Sequence, residues 1–340
     1  MMASSGSTLP KVLLLGKITH AHSSWDSLQE IAEIFTPRST NRDDFLQEAL
    51  SGAFDGCQVA YRTFASFRVT GKIDGELLSS LPASIRYICH NGAGYDQVDV
   101  AACTERGIQV SNTPSAVDDA TADMGIFLLL GALRNLSVGM ASLRAGEWRG
   151  NPAPALGHDP QGKTLGILGM GGIGRNMAKK ALAFGVKIRY HNRTRLDEEQ
   201  EKEIEAEYVD FDTLLAESDV LSLNLPLNPQ TRHIISHKEF AKMKKGITIV
   251  NTARGAVIDE AALVSALESG QVNSAGLDVY ENEPEIHPGL LSNPRVLLVP
   301  HMGTWTVETE LKMEEWAISN VRMAIESGKL RSIVPEQRGS

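Results

Sequence analysis

The stretch that decides the fold class of this chain is Gly169-Met170-Gly171-Gly172-Ile173-Gly174, and the apolar run 165–168 leads directly into it. The pattern is GxGxxG, placed between a predicted strand and a predicted helix. In that context the first glycine permits a tight turn, the second lets the backbone approach a pyrophosphate, and the third lets helix and strand pack closely. The N–H groups and partial positive charge of a helix N-terminus favour phosphates. The stretch therefore predicts a dinucleotide-binding βα unit, the alternative being a glycine-rich turn without a ligand.

Strand-length apolar runs alternate with helical stretches on both sides of this loop. The runs lie at 11–16, 59–61, 86–90, 107–110, 186–190, 220–225, 247–250, 275–279 and 296–299. Such alternation is typical of βαβ units and predicts parallel sheets. Because 340 residues exceed the ~250–300 at which one hydrophobic core stops growing, we expect two domains. The predicted fold class is therefore α/β, with two doubly wound parallel-sheet domains.

Three longer helices are predicted. Residues 116–136 begin acidic, are apolar in the middle and end basic, which suits the helix dipole. A helix this apolar has to bury most of its surface, either inside the fold or against a second subunit. Further helices are predicted over 259–269 and over 306–327, the latter stopping at Gly328, whereas the Gly- and Pro-rich residues 149–163 predict a loop.

Composition excludes several classes of protein. With 33 basic and 42 acidic residues the formal charge is -9, which argues against nucleic-acid binding because phosphate contacts need a basic face. The longest apolar run, near 126–133, is too short to cross a bilayer, and residues 1–8 lack the pattern of a signal peptide. Cys57, Cys89 and Cys103 are scattered and do not have metal-ligand spacing, as expected of packed thiols in a reducing compartment. We therefore expect a cytoplasmic protein that binds neither a membrane, nucleic acid nor a metal ion.

The strand after the glycine loop bears on which dinucleotide binds. An NAD site commonly ends this strand with Asp or Glu, which holds the ribose 2′-hydroxyl. Here the strand end is Tyr190-His191-Asn192-Arg193-Thr194-Arg195, and the first carboxylate is Asp197. Asn192 removes the repelling charge, and Arg193 can pair with a 2′-phosphate, with Arg195 as a second candidate. The prediction is NADP(H) in preference to NAD(H), unless both arginines are solvated surface charges.

Three polar side chains follow predicted strands downstream of the loop, at the strand ends where open α/β sheets bind their ligands. They are Arg254 in NTARG, Glu283 in LDVYENEP and His301 in PHMG. An arginine can bind a carboxylate with two hydrogen bonds and polarise a neighbouring carbonyl, and a histidine can protonate the carbonyl oxygen. A carboxylate against the other ring nitrogen would orient that histidine. Together they predict a site that reduces a 2-oxo acid, although singly each has an ordinary structural interpretation: a surface ion pair, a turn or a packed histidine.

With these motifs in this order, the sequence resembles the D-isomer-specific 2-hydroxyacid dehydrogenases, nearest the NADPH-dependent hydroxypyruvate/glyoxylate reductase branch. The matching segments are HNGAGYDQVD (90–99), VSNTPSAVDDATAD (110–123), GMGGIG (169–174), NLPLNPQT (224–231), NTARG (251–255), LDVYENEP (277–284) and PHMG (300–303). The resemblance implies that a Rossmann cofactor domain, residues 116–306, is inserted into a flavodoxin-like substrate domain, residues 1–115 and 307–340. It also implies a homodimer built on the cofactor domain.

The resemblance further implies a role for each matching residue. Arg254 is similar to the substrate-binding arginine, His301 to the acid/base, and Glu283 to the carboxylate paired with it. Ala93 and Gly94 match the loop whose N–H groups hold the substrate carboxylate. Cofactor contacts are implied at Thr121 near the phosphates, at Leu225 and Pro226 beside adenine, and at Thr252, Ala253, Asp278, His301 and Gly303 around the nicotinamide, with Asp278 binding its carboxamide.

Two aromatic residues bear on which 2-oxo acid is the substrate, and the sequence does not decide their role. Trp305 stands where the family commonly has small residues, and Tyr95 adjoins the carboxylate loop. Both could line the substrate pocket, where an aryl 2-oxo acid or a sugar acid would fit, and both could equally be packing residues.

The function predicted is NADPH-dependent reduction of a 2-oxo acid to the D-2-hydroxy acid. Candidate substrates are glyoxylate, hydroxypyruvate and 2-keto sugar acids such as 2-ketogluconate or 2-keto-gulonate. Alternatives are a D-mandelate-type enzyme acting on aryl 2-oxo acids, an NAD-dependent enzyme oxidising a hydroxy acid, and a non-enzymatic dinucleotide-sensing module similar to the corepressors that resemble this family.

Overall fold

The computed structural model describes residues 9–339, which divide into two compact units. Unit 1 comprises residues 9–117 and 306–339, and unit 2 comprises Asp118–Trp305. Residues 1–8, for which the sequence predicts no signal peptide, lie outside the described residues.

Unit 1 is a parallel α/β sheet. Its strands are β1 (Lys11–Leu15), β2 (Glu33–Phe35), β3 (Cys57–Thr63), β4 (Tyr87–Asn91) and β5 (Gln109–Ser111). Between them run α1 (His22–Gln29), α2 (Arg42–Leu50), α3 (Phe67–Thr70), α4 (Gly75–Ser80) and α5 (Val100–Glu105). The strand order is β2-β1-β3-β4-β5, and every pair is parallel.

Unit 2 begins with α6 (Asp118–Leu133) and α7 (Leu136–Arg144). Its strands are β6 (Thr164–Leu168), β7 (Lys187–His191), β8 (Ala206–Tyr208), β9 (Val220–Leu223), β10 (Ile247–Asn251), β11 (Val272–Leu277) and β12 (Val296–Leu298). Its other helices are α8 (Gly172–Leu182), α9 (Glu198–Glu203), α10 (Phe211–Glu217), α11 (His237–Lys242), α12 (Glu260–Glu268) and α13 (Pro288–Leu291). The parallel order is β12-β11-β10-β9-β6-β7-β8, so the winding reverses at β6, the kind of switch point at which open α/β sheets bind ligands.

The last helix, α14 (Val307–Ser327), belongs to unit 1. Its Ala317, Ile318 and Val321 pack into a buried cluster with Val59 and Tyr61 of β3. Thr306 caps its start through Thr309 N–H, and Gly328 ends it in a left-handed conformation, which agrees with the helix predicted from the sequence.

Short polar residues set where the helices begin, and burial explains the strands. A side-chain oxygen of the N-cap residue accepts a backbone N–H at α2, α4, α5, α9, α10, α12 and α14. Strands β9 and β10 are buried along their whole length, because helices cover both faces of the sheet. Their sequences are therefore continuous apolar runs rather than alternating ones.

The predicted α/β class with two parallel-sheet domains is confirmed. The helix predicted over 116–136 corresponds to α6, which covers Asp118–Leu133; the chain turns at Asn135, and α7 begins at Leu136. Asn135 has φ 51°, a left-handed conformation that Asn tolerates, and its side chain donates to Ala155 O at 3.2 Å. Among the described residues no single helix meets the length and hydropathy expected of a membrane span; α6 and α7 meet it only as a pair, bent by 79°.

Candidate active site

A histidine–carboxylate pair lies beyond the carboxyl end of β12. Nδ1 of His301 is 2.7 Å from Oε2 of Glu283, and Oε1 of Glu283 accepts the N–H of Tyr280 at 2.9 Å. Both side chains are partly buried. A carboxylate only accepts hydrogen bonds, so the Nδ1 proton faces Glu283 and Nε2 is the nitrogen that can exchange a proton with a substrate.

Asp278 organises the turn that carries His301. Its backbone carbonyl accepts the N–H of His301 at 2.8 Å, and its carboxylate accepts the N–H groups of Met302 and Gly303 at 2.5 and 2.8 Å. Burial raises the pKa of the Asp278 carboxyl above its ordinary value. The carboxylate is thus engaged in holding the 301–303 turn, a contact that the sequence does not indicate.

Arg254 projects from a tight turn after β10. The amide of Asn251 closes this turn, donating to Arg254 O at 2.9 Å and accepting from Ala253 N–H at 3.0 Å. Nη1 of Arg254 donates to Ala253 O at 2.9 Å. The next residue, Gly255, packs so closely on the backbone of Tyr280 that a Cβ would overlap its carbonyl carbon. The turn of Arg254 is therefore in contact with the segment that leads to Glu283.

The glycine loop joins β6 to α8. Gly169 has φ 99°, a conformation that favours glycine, and Gly171 is the N-cap of α8, with Gly172 and Ile173 in its first turn. A Cβ on Gly174 would overlap Gly169 O, so the third glycine is required by the close approach of helix and strand. The loop has the geometry that the GxGxxG pattern predicts.

Asn192 buttresses this loop. Its Oδ1 accepts the N–H of Met170 at 2.8 Å, joining the end of β7 to the turn. Arg193 and Thr194, which follow it, are exposed. Arg195 forms two hydrogen bonds of 2.8 Å with Glu201 and is occupied by that ion pair. Both arginines considered for a 2′-phosphate are therefore exposed, and the ion pair with Glu201 is what distinguishes Arg195 from Arg193.

Two buried polar atoms at the carboxyl ends of β9 and β10 have no hydrogen-bond partner within the described residues. They are Oγ1 of Thr252, after β10, and Oδ1 of Asn224, after β9. Buried polar atoms normally have partners, so these atoms fit a polar ligand held at the carboxyl edge of the sheet. With the glycine loop they make the site compatible with a dinucleotide. Asn224 was not predicted, although it begins the segment NLPLNPQT.

The other residues implied as cofactor contacts lie on the same unit. Thr121 is buried on α6 and adjoins Gly303, because a Cβ on Gly303 would lie 3.3 Å from its side chain. Leu225 and Pro226 directly follow Asn224, and Ala253 follows Thr252, each beyond the end of a strand.

The predicted substrate-loop residues lie on unit 1 and Trp305 on unit 2. Ala93 O accepts the amide N–H of Asn112 at 2.7 Å. The hydroxyl of Tyr95 donates to Glu336, 2.8 Å from Oε2, so its polar end is engaged inside unit 1. Trp305 is 70% exposed.

Comparison with known proteins identifies relatives over nearly the whole chain. Residues 126–303 match the family model "D-isomer specific 2-hydroxyacid dehydrogenase, NAD binding domain". The chain is 58% identical over 330 residues to 4-methyl-2-oxopentanoate reductase A of Aspergillus oryzae, covering 97% of this chain and 99% of that protein.

Solved structures agree with this placement. The crystal structure of a glyoxylate reductase from Paecilomyes thermophila matches with a TM-score of 0.94 and 56% identity, covering 97% of this chain and 99% of that one. An NADPH-dependent glyoxylate/hydroxypyruvate reductase from Sinorhizobium meliloti, in complex with NADP and malonate, matches with a TM-score of 0.84 and 30% identity, covering 97% and 98%.

Proposed function

The chain belongs to the D-isomer-specific 2-hydroxyacid dehydrogenase family, in its glyoxylate reductase branch, and from that premise we propose that it reduces a 2-oxo acid to the D-2-hydroxy acid with NADPH. The observation that carries this proposal is the 2.7 Å pair of His301 and Glu283, on the same unit as a dinucleotide loop. We further propose that unit 1 corresponds to the substrate domain, residues 1–115 and 307–340, and unit 2 to the cofactor domain, residues 116–306.

His301 is the proton donor in the proposed reaction. Its Nε2–H protonates the carbonyl oxygen as the C=O π bond breaks, so that the carbonyl becomes a hydroxyl. The glycine loop, Thr252 and Asp278 would hold a nicotinamide dinucleotide, which would supply the hydride that C2 receives. Glu283 fixes the orientation of the ring, with Nδ1 facing the carboxylate and Nε2 as the nitrogen that donates.

Arg254 binds and polarises the substrate. Its guanidinium has several N–H donors in a planar array and can hold the substrate carboxylate while it donates to the carbonyl oxygen. The N–H groups of Ala93 and Gly94 are proposed to hold the same carboxylate. Turnover of a bulky 2-oxo acid would support a role for Tyr95 and Trp305 as residues that contact the substrate.

A substrate panel tests the activity. Initial rates with NADPH are measured on glyoxylate, hydroxypyruvate, 4-methyl-2-oxopentanoate, benzoylformate, 2-ketogluconate and 2-keto-gulonate. We expect turnover of glyoxylate or hydroxypyruvate; 4-methyl-2-oxopentanoate is included because a relative is named for it. Faster turnover of benzoylformate would favour the D-mandelate-type alternative. Dinucleotide binding without turnover of any acid would contradict the proposal and support the sensing module.

Preference for NADPH is supported by two residues. Asn192 stands where an NAD site commonly has a carboxylate, and Arg193 is exposed beside it, whereas Arg195 is paired with Glu201. We expect Arg193→Ala to lower kcat/KM for NADPH by roughly tenfold, the loss of one charge-assisted contact, and to leave kcat/KM for NADH unchanged.

Arg195→Ala is the matched control, because it removes a positive charge two residues away that is already paired. Equal wild-type kcat/KM values for the two dinucleotides, or equal effects of the two substitutions, would contradict the assignment of Arg193. A wild-type preference for NADH would favour the NAD-dependent alternative.

A homodimer through unit 2 is also proposed. Large apolar side chains are exposed from α6 through the segment after α7, namely Phe127, Leu136, Met140, Leu143, Trp148 and Leu156. Six exposed large apolar side chains within one segment are unusual for a surface in contact with water and fit a face that a second copy of this chain covers.

A further inference from the structure

A buried arginine–histidine pair lies beneath the predicted carboxylate loop of unit 1. Arg62 of β3 and His90 of β4 are neighbours in register, and they are 0% and 1% exposed. Nη1 of Arg62 is 3.0 Å from Nδ1 of His90, and Nη2 donates to Oε1 of Gln97. Burial lowers the pKa of Arg62 to about 10, while Asp96 opposes that change, so the guanidinium remains charged at neutral pH.

This contact fixes the protonation of His90. A guanidinium has only donors, so Nδ1 of His90 has to accept and carries no proton. The ring proton is therefore on Nε2, which lies 3.0 Å from Gly94 O and donates to it. Arg62, His90 and Gly94 thus form a chain of two hydrogen bonds, all running in one direction from the buried cation to the loop.

The loop is held from behind at three consecutive peptides. Gly92 O accepts Thr113 N–H at 3.0 Å, Ala93 O accepts the Asn112 amide at 2.7 Å, and Gly94 O accepts His90. In a planar trans peptide the N–H points away from the C=O. The N–H groups of these peptides, on residues 93–95, therefore point the other way, and within residues 9–339 they make no hydrogen bond.

We propose that Arg62 and His90 are positioning residues, which hold residues 92–95 so that the N–H groups of the loop converge on the substrate carboxylate. The guanidinium behind the loop also adds a fixed positive charge that favours an anion. This inference rests on the proposed reduction of a 2-oxo acid. It adds Arg62 and His90 to the proposed site as residues that do not touch the substrate. The motif HNGAGYDQVD alone does not identify them as a pair.

Two substitutions of His90 separate positioning from bulk stability. A glutamine amide reaches the place of Nε2 and can donate to Gly94 O, whereas an asparagine amide is too short to do so. We expect His90→Asn to raise KM for glyoxylate about tenfold, the loss of one buried hydrogen bond, with kcat within about twofold. We expect His90→Gln to restore KM to within about threefold of wild type, and KM for NADPH to stay unchanged in both.

Val59→Ala is the control for stability, because Val59 is buried on β3 but packs on the opposite face of the sheet. It is expected to lower Tm without changing KM. An unchanged KM in His90→Asn, an equal KM in the two His90 variants, or a fall in kcat at constant KM would overturn the positioning role. A wild-type enzyme that turns over no 2-oxo acid would instead contradict the proposed function.

The wild-type protein gives a readout that needs no variant. In uniformly ¹⁵N-labelled protein, His90 is expected as the neutral tautomer with its proton on Nε2, and glycolate is expected to shift the amide resonances of residues 93–95. An imidazolium, an Nδ1–H tautomer, or glycolate binding that leaves these amides unmoved would overturn the inference, even if both His90 variants failed to fold.

Discussion

The hydrogen bond between Glu283 and His301 sets the tautomer and the orientation of the proposed proton donor. Glu283→Gln keeps the size of the side chain but replaces a carboxylate, which only accepts hydrogen bonds, by an amide that can also donate, so the ring is no longer held in one tautomer. We expect kcat for glyoxylate reduction to fall by about 10²-fold, the lower range of what a positioned acid contributes. Steady-state rates at saturating NADPH measure it. Glu285→Gln, an exposed neighbour, is the matched control, and equal rates in the two variants would remove Glu283 from the mechanism.

Glu260 is a second carboxylate whose environment predicts a pH effect. It is buried in the first turn of α12 and accepts Glu281 N–H at 2.8 Å. Burial raises its pKa above the ordinary 4.5, and the charge of Glu281 adds to the rise. A raised pKa in the folded state means that this group stabilises the fold fully below about pH 4.5, and that its contribution is lost as the pH rises through the folded pKa.

Glu260→Gln tests whether the contribution of Glu260 to stability falls as the pH rises, because glutamine is neutral at every pH and still accepts a hydrogen bond. Relative to wild type, the variant's free energy of unfolding is expected to rise between pH 4.5 and pH 7, as measured by urea denaturation. The exposed Glu268 at the other end of α12 supplies the control substitution, Glu268→Gln. A difference between variant and wild type that stays flat or falls over this range would refute the expectation.

The sequence identifies residue types at strand ends but not the contacts that hold them. Arg254, Glu283 and His301 can be found because each follows an apolar run in a family motif. The sequence singles out Asn192 only because a carboxylate is missing at this position. Its hydrogen bond to Met170 depends on the register of β7 against β6. Pairing between distant strands is a tertiary property, and no local pattern encodes it.

At the scale of elements, the GxGxxG loop carries the strictest packing requirement. Gly174→Ala would place a Cβ against Gly169 O and 3.3 Å from Ile167, so that α8 has to move away from β6. We expect a loss of about 1–3 kcal/mol in the free energy of unfolding, the usual effect of overpacking, and weaker NADPH binding by fluorescence titration.

Gly75 provides the comparison for that substitution. It is the first residue of α4, and a Cβ there would meet nothing within 4 Å. Gly75→Ala is therefore expected to stabilise the protein by up to about 1 kcal/mol, because alanine is the better helix former. If Gly174→Ala were as stable as Gly75→Ala and bound NADPH as tightly as wild type, the close approach would not be required.

Elements differ in how much of them the sequence predicts. The long buried strands and α14 are predicted because their apolar periodicity is strong. Strands β2 and β8 are three residues long and partly exposed, so they carry no apolar run. The sequence remains apolar on both sides of Asn135, so hydropathy predicts α6 but does not indicate that a second helix, α7, follows the left-handed residue at 135.

For the whole molecule, the net charge of -9 has to be reconciled with ligands that are themselves anions. The proposed sites place cations locally: Arg254 for the carboxylate, Arg193 for a 2′-phosphate, and Arg62 behind the substrate loop. Because salt screens interactions beyond about 10 Å, such nearby charges outweigh the distant acidic surface. Net charge therefore bears on solubility and on nucleic-acid binding, and says little about the sign of a small ligand.

The exposed apolar stretch of unit 2 predicts the oligomeric state. Leu143 and Trp148 are 58% and 73% exposed, and burying them against a second copy would remove apolar surface from water. We expect light scattering to give twice the 36.9 kDa chain mass for the wild-type protein, and Leu143→Asp with Trp148→Ser to shift the mass to that of one chain. Leu50, 71% exposed on unit 1, supplies the control, since Leu50→Asp should leave the dimer intact. A monomeric wild type, or a double variant that dimerises as tightly as wild type, would show that this face has another role.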